Sequence, residues 1–347
     1  MDELENDIEK AIISLSSEIP LMGLEGKRVL IFGASGIIGL HLGGFFSKLI
    51  SNGMQFSLFG TYRQNIEFLE RYCPNLIPLR FDSSEGPMFS DGNVKYDIIF
   101  FAIGYGQPGR FLSEPIETIK LNSEVLLKAF GLLAKNGTLA YFSSSEVYSG
   151  SHQLPHSEKD IGTTTPDHAR APYIEAKRIG ETICHAMNKS GEVRSKILRV
   201  SLIYGPGTRL TDQRVLNELI KKASKFGEIQ LLDSGHSTRA YLYISDAISM
   251  ILRSTFFGKH DSYNIGGSEI TSIKHLAERI AEYLQVNLTI PKSIGAVSSN
   301  SPEAVILDCS RYEVEFEIPD FTDLSEGLRR TILWQKKNLF EVEKNGN

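Results

Sequence analysis

The stretch KRVLIFGASGIIGLHLGGFFSKLI, residues 27–50, decides the fold. Its first six residues, KRVLIF, are a short apolar and β-branched run of the kind that forms a buried strand. Its last eleven have the apolar spacing of a helix. Between them Gly33, Gly36 and Gly39 spell G-x-x-G-x-x-G. Glycine lets a backbone turn tightly and approach a pyrophosphate, which the start of the following helix then stabilises. A lone glycine pattern is weak, but strand, loop and helix here stand in the required order. The loop residues Gly33, Ser35, Gly36, Ile37, Ile38 and Gly39 are therefore the expected contacts of a dinucleotide cofactor.

Outward from this unit the same alternation continues. Strands are expected at FSLFG (56–60), LIPLRF (76–81), YDIIFFAIG (96–104) and GTLAYFSSS (137–145). A helix is expected over PIETIKLNSEVLLKAFGLLAK (115–135). Alternating strands and helices predict an α/β fold, a Rossmann-type doubly wound parallel sheet over residues 27–200. Ala102, ending the fourth strand, joins the expected cofactor contacts. Past about residue 205 the pattern loosens, and residues 201–340 read mainly as a smaller substrate-binding region interleaved with the first. Residues 1–26 read as a helical extension, with Leu4, Ile8, Ala11, Ile12 and Leu15 at helical spacing.

Composition narrows the partners. The net charge of -5 and pI near 6.0 leave no basic field for nucleic acid. No run of about 18 apolar residues suggests a membrane span. The opening MDELENDIEK is acidic where a signal peptide would be basic and then apolar. Cys73, Cys184 and Cys309 have no paired spacing, and His156, His168 and His185 have none that suits a metal. The expectation is a cytoplasmic protein with no metal site.

Two readings of the cofactor stand. An NAD-selective site places an acid on the adenosine ribose after the second strand. Here Thr61, Tyr62 and Arg63 follow, with no acid, and Arg63 suits a 2′-phosphate, so NADP is modestly favoured over NAD. Asp82 either accepts a hydrogen bond from the adenine amine or caps a turn.

RAPYIEAKRIGETICHA (170–186) sets Tyr173 and Lys177 four apart, on one face of a predicted helix. An ammonium beside a phenol, with a cationic nicotinamide nearby, is expected to lower the tyrosine pKa for proton abstraction from a hydroxyl. Both residues join the expected cofactor contacts. About thirty residues earlier lies YFSSSEVYSG (141–150), three serines followed by a carboxylate. GYGQPGRF (104–111) follows the fourth strand at the sheet edge where ligands bind, so Tyr105 and Arg110 are expected to border the sugar or nicotinamide.

GASGIIG, SSSEVYSG, YIEAK, LRVSLIYGPG and STRAYLYISDA together make the chain resemble the extended short-chain dehydrogenase/reductase family, the NAD-dependent epimerases and dehydratases of nucleotide sugars. The resemblance runs from about residue 27 to 335, and is nearest to UDP-glucuronate decarboxylases and sugar-nucleotide 4,6-dehydratases. It implies a Rossmann fold, a tightly bound nicotinamide cofactor, and transient oxidation of sugar C4. It places Ser144 with Tyr173 on the sugar O4, Ser145 where some dehydratases carry an acidic proton donor, and Glu146 at the base position. It gives Arg239 the nucleotide diphosphate, with Arg214 as a second candidate. Once C4 is a ketone the C5 proton is acidic, so Glu146 suits dehydration or decarboxylation; its alternative role is a structural bond at a strand end. The expectation is a homodimeric nucleotide-sugar decarboxylase or dehydratase. An epimerase and a non-catalytic dinucleotide-binding protein are the alternatives. The chain departs from the family at Leu202, where asparagine is usual, and over AVILDCS (304–310).

Overall fold

Strand β1 (Arg28–Phe32) is exposed at its first residue and buried over the other four, as a strand covered on both faces must be. Helix α2 (Ile37–Ser51) follows the glycine loop directly, with Gly36 as its N-cap. These belong to a computed structural model that describes residues 2–64, 66–83, 94–209, 211–291, 303–316 and 321–340. The alternation continues through β2 (Ser57–Tyr62), α3 (Glu67–Tyr72), β3 (Leu76–Arg80), β4 (Tyr96–Phe101) and α4 (Pro108–Ser113). Next come α5 (Pro115–Asn122), α6 (Glu124–Gly131), β5 (Leu133–Ser144), α7 (Ala171–Ser190) and β6 (Arg194–Val200).

A smaller part is then built from β7 (Leu202–Tyr204), α8 (Val215–Phe226), β8 (Glu228–Gln230) and β9 (Thr238–Tyr243). Helix α9 (Ile244–Phe256) leads back to β10 (Ser262–Ile265). After it come β11 (Ile270–Ser272), α10 (Ile273–Leu284), β12 (Asn287–Thr289), β13 (Ala304–Val305), α11 (Ser310–Glu315) and α12 (Leu324–Gln335).

Among the described residues one seven-stranded sheet runs β10-β6-β5-β4-β1-β2-β3, every neighbouring pair parallel. The strand order reverses between β1 and β4, and a crevice opens there beyond the carboxyl ends of the strands. Edge strand β10 comes from beyond residue 200, after β7 and β9 have begun a second sheet in which β9 pairs with β7 and, later in the chain, with β11 and β13. The single helix expected over 115–135 is two, broken at Ser123, and β5 already begins at Leu133.

Helix α1 (Glu3–Ser14) opens on a capping box formed by Asp2 and Glu5. Its Leu4, Ile8 and Ala11, and Leu15 beyond it, are buried in the chain's own core. Gly44 of α2 makes the close approach possible: a Cβ there would lie 2.2 Å from the Ile8 Cδ1. Polar ties complete the seat. The fully buried Asp7 carboxylate accepts from the Tyr243 hydroxyl at 2.7 Å and from Arg330 at 3.2 Å, and Lys10 reaches Asp246 at 3.0 Å. Burial pushes the Asp7 carboxyl up to about 7 against these donors. Replacing Leu4, 0% exposed, by alanine should therefore cost about 2–5 kcal/mol in urea unfolding. A loss under about 1 kcal/mol would show that α1 is not part of the core.

Candidate active site

The glycine loop is shaped by contacts that tolerate no side chain. Gly33 has φ +76°, and its N–H donates to the Thr61 hydroxyl at 2.8 Å. A Cβ on Gly39 would lie 2.2 Å from the Gly33 carbonyl oxygen, so α2 leaves the loop as close to β1 as backbone allows. Gly36 is exposed at the helix start, where a Cβ would meet only the Gly33 carbonyl, at 3.4 Å. The bare backbone there fits a dinucleotide pyrophosphate. Gly36, Ile37, Ile38 and Gly39 line the main cleft, joined across it by Ala102.

Ser144, Ser145, Glu146, Tyr173 and Lys177 line the same cleft. Strand β5 ends on Ser144, whose hydroxyl accepts from the Glu146 N–H at 3.2 Å and hydrogen-bonds the Tyr173 phenol. Tyr173 and Lys177 lie one turn apart on α7, which Pro172 starts and Gly191 ends. The Tyr173 ring stacks on Phe111 with centroids 4.7 Å apart. Lys177 Nζ donates to the Phe142 carbonyl at 2.7 Å and to Asn122 Oδ1 at 3.0 Å.

The expected lowering of the phenol is reversed in this geometry. Burial pushes Tyr173 up to about 12, opposed mainly by the Ser144 hydrogen bond. Lys177 spends its donors on Phe142 and Asn122 and lies 5.8 Å from the tyrosine ring centroid. Burial also pushes Lys177 down to about 7, with Glu181 pulling the other way.

Glu146 is paired, not free. Arg170, capping the start of α7, holds it with Nη2–Oε1 at 2.5 Å and Nε–Oε2 at 3.2 Å. The guanidinium lies 5.2 Å from the Phe111 ring centroid, so Arg170, Phe111 and Tyr173 form one packed row. Arg214 and Arg239 also line the cleft. Asp212 grips Arg214 at 2.6 Å. Arg239 donates to the backbone carbonyls of Thr238 and Glu303, and among the described residues no carboxylate lies within 4.0 Å of it. Burial holds its guanidinium below the usual range.

Six expected residues lie off this lining. Tyr105 and Arg110 pack together, guanidinium 4.1 Å from the ring centroid, with Glu114 3.6 Å from Arg110. Neighbouring helix positions face apart, so with Phe111 lining the cleft from α4, Arg110 turns away from that lining. Arg63 follows β2, 4.0 Å from Asp82. The remaining loop residues lie beneath or beside the cleft: Gly33 under it, and Ser35 with its carbonyl held by Arg209 at 2.8 Å. Asn122, Arg170, Phe111 and Arg209 were not singled out from sequence. Only Arg170 carried a local signal, three residues before Tyr173. Among the described residues no cluster of three His, Cys, Asp or Glu side chains is placed to hold a metal ion.

Comparison with known proteins identifies the family and the shared fold. The family model described as NAD dependent epimerase/dehydratase family matches residues 29–266. The chain belongs to that family. UDP-glucuronic acid decarboxylase 1 of Xenopus tropicalis is 27% identical over 318 residues, covering 90% of this chain and 73% of that one. The Bacillus cereus UDP-glucuronic acid 4-epimerase, solved with UDP-glucuronic acid and NAD, superposes with a TM-score of 0.73 at 20% identity, covering 89% of this chain and 99% of that one. An NAD-dependent NDP-hexosamine 5,6-dehydratase of tunicamycin biosynthesis gives 0.71 at 16% identity, covering 91% and 99%. The two structures establish the shared fold. Within this enzyme family the buried Tyr173 phenol, bonded to Ser144, is the group to test. Tyr173→Phe should lower turnover by roughly 10² to 10⁴ while the circular dichroism spectrum and cofactor content stay unchanged. Activity within a few-fold of the parent would remove Tyr173 from the chemistry.

Proposed function

We propose that this chain transiently oxidises C4 of a nucleotide-linked uronic acid and decarboxylates the 4-keto sugar. 4,6-Dehydration of a neutral hexose by the same groups is the alternative outcome. The observation that carries this reading is the Glu146–Arg170 pair beside Ser144 and Tyr173. A simple 4-epimerase needs no proton-transfer group at C5, whereas elimination chemistry does. The curated relatives named UDP-glucuronic acid decarboxylase support the choice of substrate class.

In this reading Tyr173 takes the O4 proton while Ser144 shares the same oxygen. Lys177, anchored by Asn122 and Phe142, fixes the helix turn that presents the phenol. When bound, the nicotinamide cofactor supplies a hydride acceptor for C4 and a positive charge beside the phenol. With C4 oxidised, a C6 carboxylate is β to the ketone. The C5–C6 bond then breaks and carbon dioxide leaves, the bond's electron pair passing to the enolate oxygen held by Tyr173 and Ser144. A solvent proton relayed through Glu146, which Arg170 positions, is added at C5. C4 then regains its hydride from the bound cofactor as Tyr173 returns the proton to O4. In dehydration Glu146 would take the C5 proton as the C6 hydroxyl leaves. Arg239, bound among the described residues to backbone carbonyls, is assigned the nucleotide diphosphate, with Arg214 assisting.

Three finer points belong to the same proposal. NADP is favoured over NAD because Arg63 stands where an acid would select NAD. A homodimer is supported by exposed Ile116 and Ile119 on α5 and Ile179 on α7, two helices packed together. A cytoplasmic setting suits three free thiols, two of them buried.

Supplied with UDP-glucuronic acid in deuterated water, the protein should release carbon dioxide and leave deuterium at C5. Glu146→Gln should still reduce bound cofactor, seen as nicotinamide absorbance, while product formation falls by roughly 10² or more. Undiminished turnover by that variant, or a 4-epimer without C5 deuterium as the sole product, would sink the assignment.

A further inference from the structure

A buried arginine outside the cleft ties together the three segments that carry Ser144, Glu146 and Tyr173. Arg199 lies near the end of β6, directly opposite Ser143 of β5. Its Nε and Nη2 fork onto the Glu181 carboxylate at 2.9 and 2.7 Å. Glu181 stands on α7, two turns after Tyr173 and one after Lys177. Arg199 Nη1 donates to the Tyr148 hydroxyl at 2.8 Å, in the short turn Ser145–Tyr148 that also holds Glu146. The same nitrogen meets the Glu158 carbonyl at 3.1 Å. Every nitrogen of the fork is therefore spent inside the protein, and neither Arg199 nor Glu181 lines the cleft.

The contacts of α7 with β5 form two successive rungs. Lys177 Nζ donates to the Phe142 carbonyl at 2.7 Å, and one turn later Glu181 accepts from the Ser143 hydroxyl at 2.5 Å. The next strand residue is Ser144, whose hydroxyl meets the Tyr173 phenol. On the other side, the Tyr148 hydroxyl donates to Asn264 Oδ1 at 2.6 Å, which fixes the turn to edge strand β10. A buried ion pair is a weak source of stability, because desolvating both charges offsets most of their attraction. A forked guanidinium on a carboxylate supplies direction instead, setting angles as well as distances.

We propose that Arg199, paired with Glu181, is a positioning residue for the oxidation step: acting through Ser143, it holds Ser144 against the Tyr173 phenol. The inference rests on the roles given to Ser144 and Tyr173 above, and adds a pair that touches neither substrate nor cofactor. Without the second rung the end of β5 is free to slip along α7, and misplacement by about 1 Å can cost on the order of 10²-fold in rate.

Removing Arg199 alone would strand Glu181 as a buried unpaired charge, so both are replaced together by residues of similar length, Arg199→Met with Glu181→Met. Full-length parent, Ser144→Ala, the paired variant and the combination of all three changes are compared. Urea unfolding, KM, and the rate at which UDP-glucuronic acid reduces the bound cofactor are measured. The fluorine resonance of the Tyr173 ring, labelled as 3-fluorotyrosine, reports the Ser144 contact without turnover. The paired variant should unfold near the parent midpoint yet reduce its cofactor roughly 10- to 100-fold more slowly at unchanged KM. Its fluorine signal should move as it does in Ser144→Ala. Added to Ser144→Ala, the paired change should cost less than about threefold more, since both act on one contact. A parent-like rate and fluorine signal, or a full multiplicative loss in the combination, would overturn the proposal. A much lower unfolding midpoint with the rate per folded molecule unchanged would also overturn it, making the pair a structural support. A parent that fails to reduce its cofactor with the sugar would sink the proposed function instead. The fluorine signal then decides the inference alone: movement matching Ser144→Ala supports it, and a parent-like signal overturns it.

Discussion

The cofactor cradle depends on the approach of Gly39 to the carbonyl of Gly33, where even a methyl group would sit 2.2 Å from oxygen. It sets how near α2 starts to β1, and so where bare helix-start amides face the crevice between β1 and β4. The same helix continues into Gly44, against which Ile8 packs. One element thus carries the cofactor cradle at its first turn and the seat of α1 two turns later. Glycine within a helix costs up to about 1 kcal/mol against alanine, and both positions return close packing for it.

Across the crevice the site is built from buried charge. Lys177 and Tyr173 are both driven toward their neutral forms by burial. Glu181 opposes that for the lysine, and is itself held by Arg199 at 2.7 and 2.9 Å and by the Ser143 hydroxyl. The serine run therefore has a division of labour. Ser143 faces the Glu181–Arg199 pair behind the strand, while Ser144 faces Tyr173. Alternation along a strand separates the two. Of the cleft arginines, Arg170 and Arg214 have carboxylate partners, while Arg209 and Arg239 bond to backbone carbonyls among the described residues, which leaves these two best prepared for an incoming anion.

What was legible in the sequence follows from how each feature is encoded. Strands β1 to β5 announce themselves because a parallel sheet buried on both faces leaves continuous apolar runs. Tyr173 and Lys177 are legible because helix periodicity fixes their relation locally, whereas Ser144 is picked out of its serine run by the resemblance to the family's motif. Strand β10, only four residues long, was hidden in a loosened region, and the break at Ser123 lay inside an unbroken helical pattern. Asn122 and Arg209 act on residues 55 and 174 positions away, so no local spacing reveals them. Tyr105 and Arg110 were read as pocket residues from their place after β4, but the register of α4 turns Phe111 inward instead.

Helix α1 has a consequence for how the chain is assembled. Its polar anchors lie 236 residues away at Tyr243 and Asp246, and 323 residues away at Arg330. As the chain is synthesised, the first helix leaves the ribosome with an apolar face whose final partners on α9 and α12 do not yet exist. Such distant closure is entropically slow, and surface left waiting in this way invites association with other chains. The acidic residues along its other face, Glu3, Glu5 and Glu9, keep that interval soluble through like-charge repulsion.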